Sequence, residues 1–383
     1  MTRLSSEQEP KDMKLFLCGD VMTGRGIDQI MRHPADPVLY EPYARSALDY
    51  VRLAERRSGE IPRHVPFDYI WGDALAEIEQ RNPELQIINL ETCITADGLP
   101  EHKGINYRMH PGNIGCLDAA KIDCCVLANN HVADWGLESL KDTLLALQTA
   151  GIASAGAGLD ADAAIRPAVL QAASGKRLLV FAFACVSAGV PEHWAAGRNL
   201  PGVNLLPDLA QASRMNVAHA INAWRRSGDI ILVSLHWGAN WGYDISLEHR
   251  DFARNLIDFA NVDIVHGHSS HHPLAIEVHA ERPVFYGCGD FINDYEGIGG
   301  HQAFRPDLTL AYFVDVDDET HHLRRLEMIP FRLQRFQLTR ATYEEALWLC
   351  ETLDRECRHF GGHVRLDEQN TLLWSPLTDT DSS

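Results

Sequence analysis

The sequence predicts a mixed α/β fold in which two sheets pack face to face. Short apolar runs, typical of buried strands, alternate with segments whose apolar residues recur every three or four positions, as in helices that cover a sheet. After Pro273 the pattern changes to closely spaced strands, which favours antiparallel pairing. A strand and helix region followed by a run of strands predicts stacked layers rather than a helical bundle.

The predicted strands of the first region are apolar runs that stop at glycine or at polar residues. In chain order they are Lys14–Cys18, Leu85–Ile88, Asp123–Ala128, Asp229–Leu235 and Val262–Val265. The helices predicted among them are Phe67–Arg81, Gly136–Ala150, Leu209–Arg226 and Leu247–Ala260. The later strands are predicted at Leu274–Val278, Pro283–Tyr286, Leu308–Val316 and Leu323–Gln334, before a last amphipathic helix at Thr342–Phe360.

The chain has 383 residues and shows neither a Pro/Ser/Gly linker nor an internal repeat. This favours one large elaborated domain over two separate ones. We expect the domain to span residues 13–335, with residues 336–377 as a helical cover of the same domain. Residues 1–12 and 378–383 are polar and are predicted to be disordered tails.

Charge and cysteine content restrict the class of protein. A formal net charge of −19 without a basic run argues against a nucleic-acid or anionic-membrane partner, but it leaves room for a small or polymeric anionic substrate held by a metal. Nine scattered cysteines, two of them adjacent at Cys124 and Cys125, are a poor disulfide framework and predict reduced thiols. Residues 1–14 contain no apolar stretch for a signal peptide or membrane anchor, so we expect a cytoplasmic protein. The sequence carries no signal for the oligomeric state.

Ligand-type side chains follow the predicted strands of the first region. In open α/β sheets, binding sites form at the carboxyl ends of the strands, so these side chains are expected to share one pocket. Neutral imidazole and carboxylate groups are good ligands for Mn, Fe or Zn. The residues are Asp20, Glu91, Asn129, Asn130, His131 and His236, followed by four histidines at His266, His268, His271 and His272.

The order of these segments resembles the CapA-type poly-γ-glutamate synthesis proteins, a family similar to the calcineurin-like metallophosphoesterases. The resemblance rests on five segments between Lys14 and Tyr295: residues 19–25 (Gly-Asp-Val-Met-Thr-Gly-Arg), 89–91 (Asn-Leu-Glu), 128–131 (Ala-Asn-Asn-His), 236–238 (His-Trp-Gly) and 267–271 (Gly-His-Ser-Ser-His). It implies a four-layer α/β/β/α sandwich, with two mixed sheets flanked by helices. It also implies a two-metal site at the ends of the central strands.

The resemblance also implies a role for each site residue. Asp20 and His271 would hold the first ion, Glu91 would bridge, and Asn130, His236 and His268 would complete the second ion. His131 falls on the position of the general acid. The chain departs from the usual pattern in two places: Met22 stands where the superfamily has a histidine ligand, and Glu91 stands where it has an aspartate. The first ion is therefore predicted to bind more weakly than the second.

Mixed oxygen and nitrogen ligands without thiolate suit two divalent ions, Mn, Fe or Zn. Such a pair lowers the pKa of a bound water, which predicts a metal-dependent hydrolase of a phosphoester or a γ-glutamyl-type amide. His131 would donate a proton and Arg25 would hold an anionic substrate group. The alternative, favoured by Met22, is a non-catalytic capsule-assembly or polymer-handling factor with a partly retained metal site. A third class, a structural interaction protein with a vestigial pocket, has no feature in its favour.

Simpler roles compete for several of these residues. Asp20 could cap a helix, Asn130 could serve a turn, and Glu91 could be present only to pair with Arg25. Asp290, in the sequence Cys288-Gly289-Asp290, is interpreted as part of a structural turn rather than of the site. The remaining residues near the pocket are expected to pack or support it: His266, His272, Trp237, Trp241, Cys18 and Cys288.

Overall fold

The computed structural model describes residues 12–378, which form 21 strands and nine α-helices. The strands are β1 (Asp12–Val21), β2 (Leu85–Leu90), β3 (Cys93–Ile94), β4 (Arg108–Met109), β5 (Cys124–Val126), β6 (Ala153–Ala155), β7 (Ala157–Gly158), β8 (Ala168–Gln171), β9 (Arg177–Cys185), β10 (Gly202–Val203), β11 (Leu205–Leu206), β12 (Ile230–His236), β13 (Ile264–His268), β14 (Ile276–His279), β15 (Arg282–Phe285), β16 (Asp290–Ile292), β17 (Leu308–Asp317), β18 (Leu323–Gln334), β19 (Gln337–Arg340), β20 (Gly362–Leu366) and β21 (Leu372–Pro376). The helices are α1 (Arg25–Ile30), α2 (Leu48–Ser58), α3 (Ala74–Arg81), α4 (Gly115–Ala119), α5 (Leu137–Ala150), α6 (Ala161–Ala164), α7 (Gln211–Trp224), α8 (Leu247–Ala260) and α9 (Tyr343–Arg358).

The larger sheet has ten strands, in the order β20-β21-β18-β17-β1-β2-β5-β6, with β16 paired to β1 and β19 paired to β18. Strands β1, β2, β5 and β6 run parallel, whereas β17, β18 and β21 join in antiparallel fashion. This sheet is therefore mixed, as the change of pattern after Pro273 predicts.

The second sheet has seven strands, in the order β11-β9-β12-β13-β15-β14, with β8 paired to β9. Its central strands are parallel, and β8 and β14 are antiparallel neighbours at its margins. Two shorter sheets, β3-β4 and β7-β10, lie outside these two.

Alternate side chains of each strand show how the layers stack. Tyr312 of β17 contacts Phe285 of the second sheet, whereas its neighbour Phe313 packs on Phe16 and under Arg81 of α3. In β9, Val180 belongs to the core shared by the two sheets, and Phe181 belongs to the core beneath α7 and α8. The two sheets thus face each other between outer helices, which confirms the predicted fold class.

The helix predicted at residues 67–81 begins later than expected. Residues 69–71 form a short 3-10 turn, and α3 starts only at Ala74. The break lies at Gly72, whose φ is +45° and where a Cβ atom would lie 2.1 Å from the carbonyl oxygen of Leu338. Glycine is needed here because the turn packs directly on the backbone of β19.

The segment predicted as a helical cover, residues 336–377, contains the expected helix as α9, with Thr342 and Glu345 as a capping box. It is not helical throughout, because β19, β20 and β21 extend the larger sheet. Of the predicted tails, Asp12 already belongs to β1 and Thr378 is described, while residues 1–11 and 379–383 lie outside the described part. No helix within residues 12–378 is long and apolar enough to cross a membrane.

Candidate metal centre

The carboxyl ends of strands from both sheets meet at one place. Asp20 lies near the end of β1, Glu91 follows β2, His131 lies in the loop after β5, and His236 and His268 are the last residues of β12 and β13. All five side chains are buried. The single shared pocket expected from the strand ends is therefore present.

Two histidines and one aspartate form the first group of ligand-type residues. Because β12 and β13 are parallel and pair His236 with His268, the two imidazoles lie side by side, with their Nδ1 atoms 2.8 Å apart. His268 Nδ1 also lies 3.7 Å from Asp20 Oδ1. Asp20, His236 and His268 each offer a ligand atom within 4.8 Å of the others, which is suitable for one metal ion.

Three carboxylates form the second group. Asp20, Glu91 and Asp290 offer oxygen atoms that lie within 4.8 Å of one another, and all three are buried. Asp20 therefore belongs to both groups. Its Oδ1 accepts a hydrogen bond from Asn89 Nδ2 at 2.7 Å and its Oδ2 accepts one from the backbone N–H of Ser269 at 3.2 Å, which fixes the orientation of the shared carboxylate.

Burial changes the protonation of these groups. Burial, and then the charge of Asp290, raises the pKa of Asp20 to about 7. Burial and the charge of Asp20 raise the pKa of Glu91 well above its usual range. Burial also lowers the pKa values of His236 and His268 well below normal, so both imidazoles are neutral at pH 7, the form that binds metals. The pocket thus combines neutral nitrogen donors with carboxyl groups crowded together.

Two buried polar atoms of the predicted ligands have no hydrogen-bond partner among the described residues: Nε2 of His236 and Oδ1 of Asn130. His236 Nε2 lies 4.0 Å from Glu91 Oε1. Unsatisfied buried polar atoms are rare and call for a partner outside the protein. Together with the mixed nitrogen and oxygen donor set, they show that the residues present fit a bound divalent cation.

His131 stands beside this donor set in its own hydrogen-bond network. Its Nδ1 lies 2.6 Å from Asp134 Oδ2, and its Nε2 lies 3.9 Å from Glu91 Oε1. Its ring stacks on Tyr107 at 3.9 Å between centroids. Lys103 Nζ donates to the other oxygen of Asp134 at 2.7 Å. Burial lowers the pKa of His131 to about 4, although Asp134 opposes this shift, so the imidazole is neutral with Nε2 facing the pocket.

Arg25 lies in a different setting from the one its predicted role requires. Its guanidinium donates to Asp294 through both Nε and Nη2 and to Glu41 through Nη1, and it stacks 3.6 Å from the centre of the Tyr50 ring. Only 3% of the residue is exposed. Glu91 does not pair with Arg25 but lies beside Asp20 instead. The structure thus gives Arg25 a buried ion-pair role, and contact with a substrate stays a prediction.

His271 and Asn130 remain candidate ligands outside the two groups. His271 Nδ1 lies 3.0 Å from Asp290 Oδ1, and its Nε2 lies 3.0 Å from Asn240 Nδ2. Burial disfavours its charged form, but Asp290 outweighs burial and the pKa of His271 is raised. Met22 is buried in the apolar core shared by the two sheets.

Two carboxylates near this cluster are not among the residues predicted for the site. Asp290 lies beside Asp20 and Glu91, and the tripeptide Cys288-Gly289-Asp290, which repeats Cys18-Gly19-Asp20, is a sequence signal for it. Asp134 was also missed, three residues after His131. Its local spacing would have suggested a partner for the imidazole.

Comparison with known proteins identifies the family. Residues 14–295 match the family model described as "Bacterial capsule synthesis protein PGA_cap". The chain belongs to the PGA_cap family. This confirms the resemblance to CapA-type proteins. A "Probable polyglutamine synthesis accessory protein" of Mycobacterium tuberculosis H37Rv is 47% identical over 375 residues, covering 97% of this chain and 98% of that protein.

Two further proteins are similar to this chain. The "PGA biosynthesis protein CapA" of Bacillus subtilis strain 168 is 32% identical over 276 residues, or 72% of this chain and 62% of CapA. A solved structure described as a novel phosphatase of Mycoplasma pneumoniae aligns with a TM-score of 0.46 and 14% identity, covering 84% of this chain and 94% of that one.

Proposed function

We propose that this PGA_cap protein is a metal-dependent hydrolase of an anionic ester or amide. The observation that carries the proposal is the convergence of Asp20, His236 and His268 with Glu91, next to the His131–Asp134 pair. Bound divalent ions, Mn, Fe or Zn, would supply an acidified water and positive charge against an anionic substrate. Asp20, His236 and His268 would hold one ion. Glu91 lies beside Asp20 in the carboxylate group, and its Oε1 is 4.0 Å from His236 Nε2.

His131 is the residue we propose for proton transfer. In the metal-free protein it is neutral, with Nδ1 turned to Asp134 and Nε2 turned to the pocket. Nε2 would take a proton as water attacks and return it to the leaving group, while Asp134 stabilises the imidazolium in between. Lys103 and Tyr107 hold this pair in place.

The proposed substrate is a γ-glutamyl-type amide, small or polymeric, with phosphoesters as the other class. The amide is placed first because two relatives carry names that refer to polyglutamine or PGA synthesis. The second candidate function is a non-catalytic polymer-handling factor. It is favoured by Met22, which gives the centre one ligand fewer than the resemblance implies.

The test is a metal analysis followed by an activity panel. The full chain is purified without chelator, its metal content is measured, and it is assayed with Mn, Fe or Zn on nitrophenyl phosphate mono- and diesters, γ-glutamyl-nitroanilide and poly-γ-glutamate. We expect metal-dependent turnover of one class, abolished by chelator and restored by metal. Protein that neither carries nor takes up metal would contradict the proposal, and bound metal with no turnover on the panel would favour the polymer-handling factor.

A further inference from the structure

We propose that Asp290 is a metal ligand and that, with Asp20 and Glu91, it forms an all-oxygen cation site distinct from the histidine site. This inference rests on the proposed function, because both sites belong to one centre. It assigns a direct metal contact to a residue that the sequence pattern places in a turn. It also gives the first ion an oxygen ligand in place of the histidine ligand that is missing at Met22.

The backbone brings Asp290 to Asp20 through two matching tripeptides. Strand β16 pairs with β1 in parallel, with Asp20 opposite Asp290, and the backbone N–H of Asp20 donates to the carbonyl of Gly289 at 3.0 Å. A Cβ atom at Gly19 would lie 1.7 Å from that carbonyl oxygen. Glycine at position 19 is therefore required for β16 to lie this close, and the fold places the two carboxylates at one strand end.

Three carboxylates buried this close together are stabilised by a bound cation, which offsets the repulsion among them. Their oxygen atoms lie within 4.8 Å of one another, and carboxylates this close repel strongly when buried. Asp290 accepts hydrogen bonds from Asn293 Nδ2 at 2.9 Å and pairs with His271 Nδ1 at 3.0 Å. These contacts engage both oxygens of the carboxylate and fix its orientation, as supporting groups do for metal ligands.

A separate observation shows that the pocket is built for a ligand from outside the protein. His236 is 1% exposed, and its Nε2 atom has no hydrogen-bond partner in the described part of the chain, although it lies 4.0 Å from Glu91 Oε1. An ion at the carboxylates and one at the histidines would share Asp20. The donor sets differ in softness: oxygen alone suits Mn²⁺, whereas the imidazole site suits Zn²⁺ or Fe²⁺ as well.

The test is a titration of metal-free full chain with Mn²⁺, following the electron paramagnetic resonance signal of the free ion. We expect the wild type to bind two ions. Asp290→Asn should weaken one site by at least about 10-fold and leave the other unchanged, while His236→Ala should weaken the other site. Asp315→Asn, which removes a carboxylate near the opposite end of β1, is the matched control and should bind as wild type.

The outcomes separate this inference from the proposed function. Two ions bound by Asp290→Asn with wild-type affinity would overturn the inference alone, and equal loss of both ions would overturn the assignment of Asp290 to one site. A wild type that binds no Mn²⁺, Zn²⁺ or Fe²⁺ would overturn both. Asn293→Ala is the second variant, should Asp290→Asn not fold: losing the hydrogen bond that orients Asp290 should weaken the same site to a smaller extent, and unchanged binding would count against the inference.

Discussion

At the scale of single residues, the proposed cation ligands and the proposed proton carrier are different side chains. His131 is close to Glu91, yet its Nδ1 is taken by Asp134, so only Nε2 is free to act. Neutral imidazole in contact with a carboxylate is the arrangement that accepts a proton and passes it on. We therefore expect the proposed proton transfer to depend on His131 and metal binding not to depend on it.

We expect His131→Ala to lower turnover by about 10²- to 10⁴-fold with metal content unchanged, because a positioned acid or base contributes an effect of that size. Asp134→Asn should cause a smaller loss, since the imidazole stays but its orientation and its charged form lose support. Both are measured as kcat/KM together with bound metal per chain. Turnover of His131→Ala equal to wild type would show that another group carries the proton.

The sequence predicts that Arg25 binds substrate, whereas its surroundings predict an effect of its replacement on stability. Replacing it with alanine leaves Asp294 and Glu41 as buried carboxylates without their cation. Breaking a buried pair in this way costs about 3–5 kcal/mol, so Arg25→Ala should strongly lower the free energy of unfolding.

The control is Arg52→Ala, which removes an exposed pair with Asp49 and should cost at most about 1 kcal/mol. The measurement is urea unfolding of the three proteins. A folded, stable Arg25→Ala protein with a raised KM would instead support the substrate role.

Single residues also show where sequence reasoning succeeds and where it fails. Asp20, His236 and His268 were predicted correctly as neighbours because each ends a long apolar run, a local signal. Asp290 carries the same Cys-Gly-Asp signal as Asp20, but it begins a strand of only three residues. Its position depends on the pairing of β16 with β1, 270 positions apart, and nothing local encodes that pairing.

At the scale of elements, the register of β12 and β13 creates the histidine site. Five consecutive residue pairs are matched from Leu232 with Ile264 to His236 with His268, so the backbone positions of the two histidines are fixed relative to each other. Strand β1 adds Asp20 from the other sheet, and His266 ties the sheets together because its Nε2 lies 2.8 Å from the carbonyl oxygen of Cys18. The long strands were predicted from their apolar runs. The added strands β19 to β21 were not, because edge pairing is decided by tertiary contacts.

Because the two strands form one site, His236→Ala and His268→Ala should each empty it, and the double variant should lose no more than either single one. Losing a bound ion removes its contribution to the folded state, so the rise in Tm on adding metal should shrink in all three. His279→Ala, whose imidazole pairs with Asp258 at the surface, is the control. Metal content and metal-induced Tm shift that match wild type would refute the ligand assignment.

At the scale of the whole molecule, the centre joins two sheets of a chain whose formal net charge is −19. A divalent cation at the junction would offset negative charge where both sheets meet and would stabilise the fold by mass action. At free metal 100 times the dissociation constant, this gain is about 2.7 kcal/mol per ion. Metal should therefore stabilise the whole domain cooperatively, rather than one loop.

Stabilisation by metal should increase from pH 6 to pH 8. In the metal-free protein burial and the charge of Asp290 raise the pKa of Asp20 to about 7, so Asp20 carries a proton below that pH. An ion must displace that proton, so its affinity falls as pH drops below about 7, whereas His236 and His268 are neutral at both pH 6 and pH 8. Binding at pH 6 should be weaker than at pH 8 by about 1.4 kcal/mol, for one proton at one pH unit below its pKa.

The measurement is the Tm difference between metal-loaded and metal-free protein at pH 6 and pH 8. Groups that the metal does not contact change the stability of both forms equally, so their pH dependence cancels in this difference. We expect the larger difference at pH 8, and proton release on binding at pH 6, seen calorimetrically in two buffers of unlike ionisation enthalpy. Asp290→Asn removes the charge that helps to raise the pKa of Asp20, so its pH dependence should be flatter. A metal-induced Tm shift that is equal at the two pH values, without proton release, would mean that Asp20 and Glu91 are already ionised in the metal-free centre.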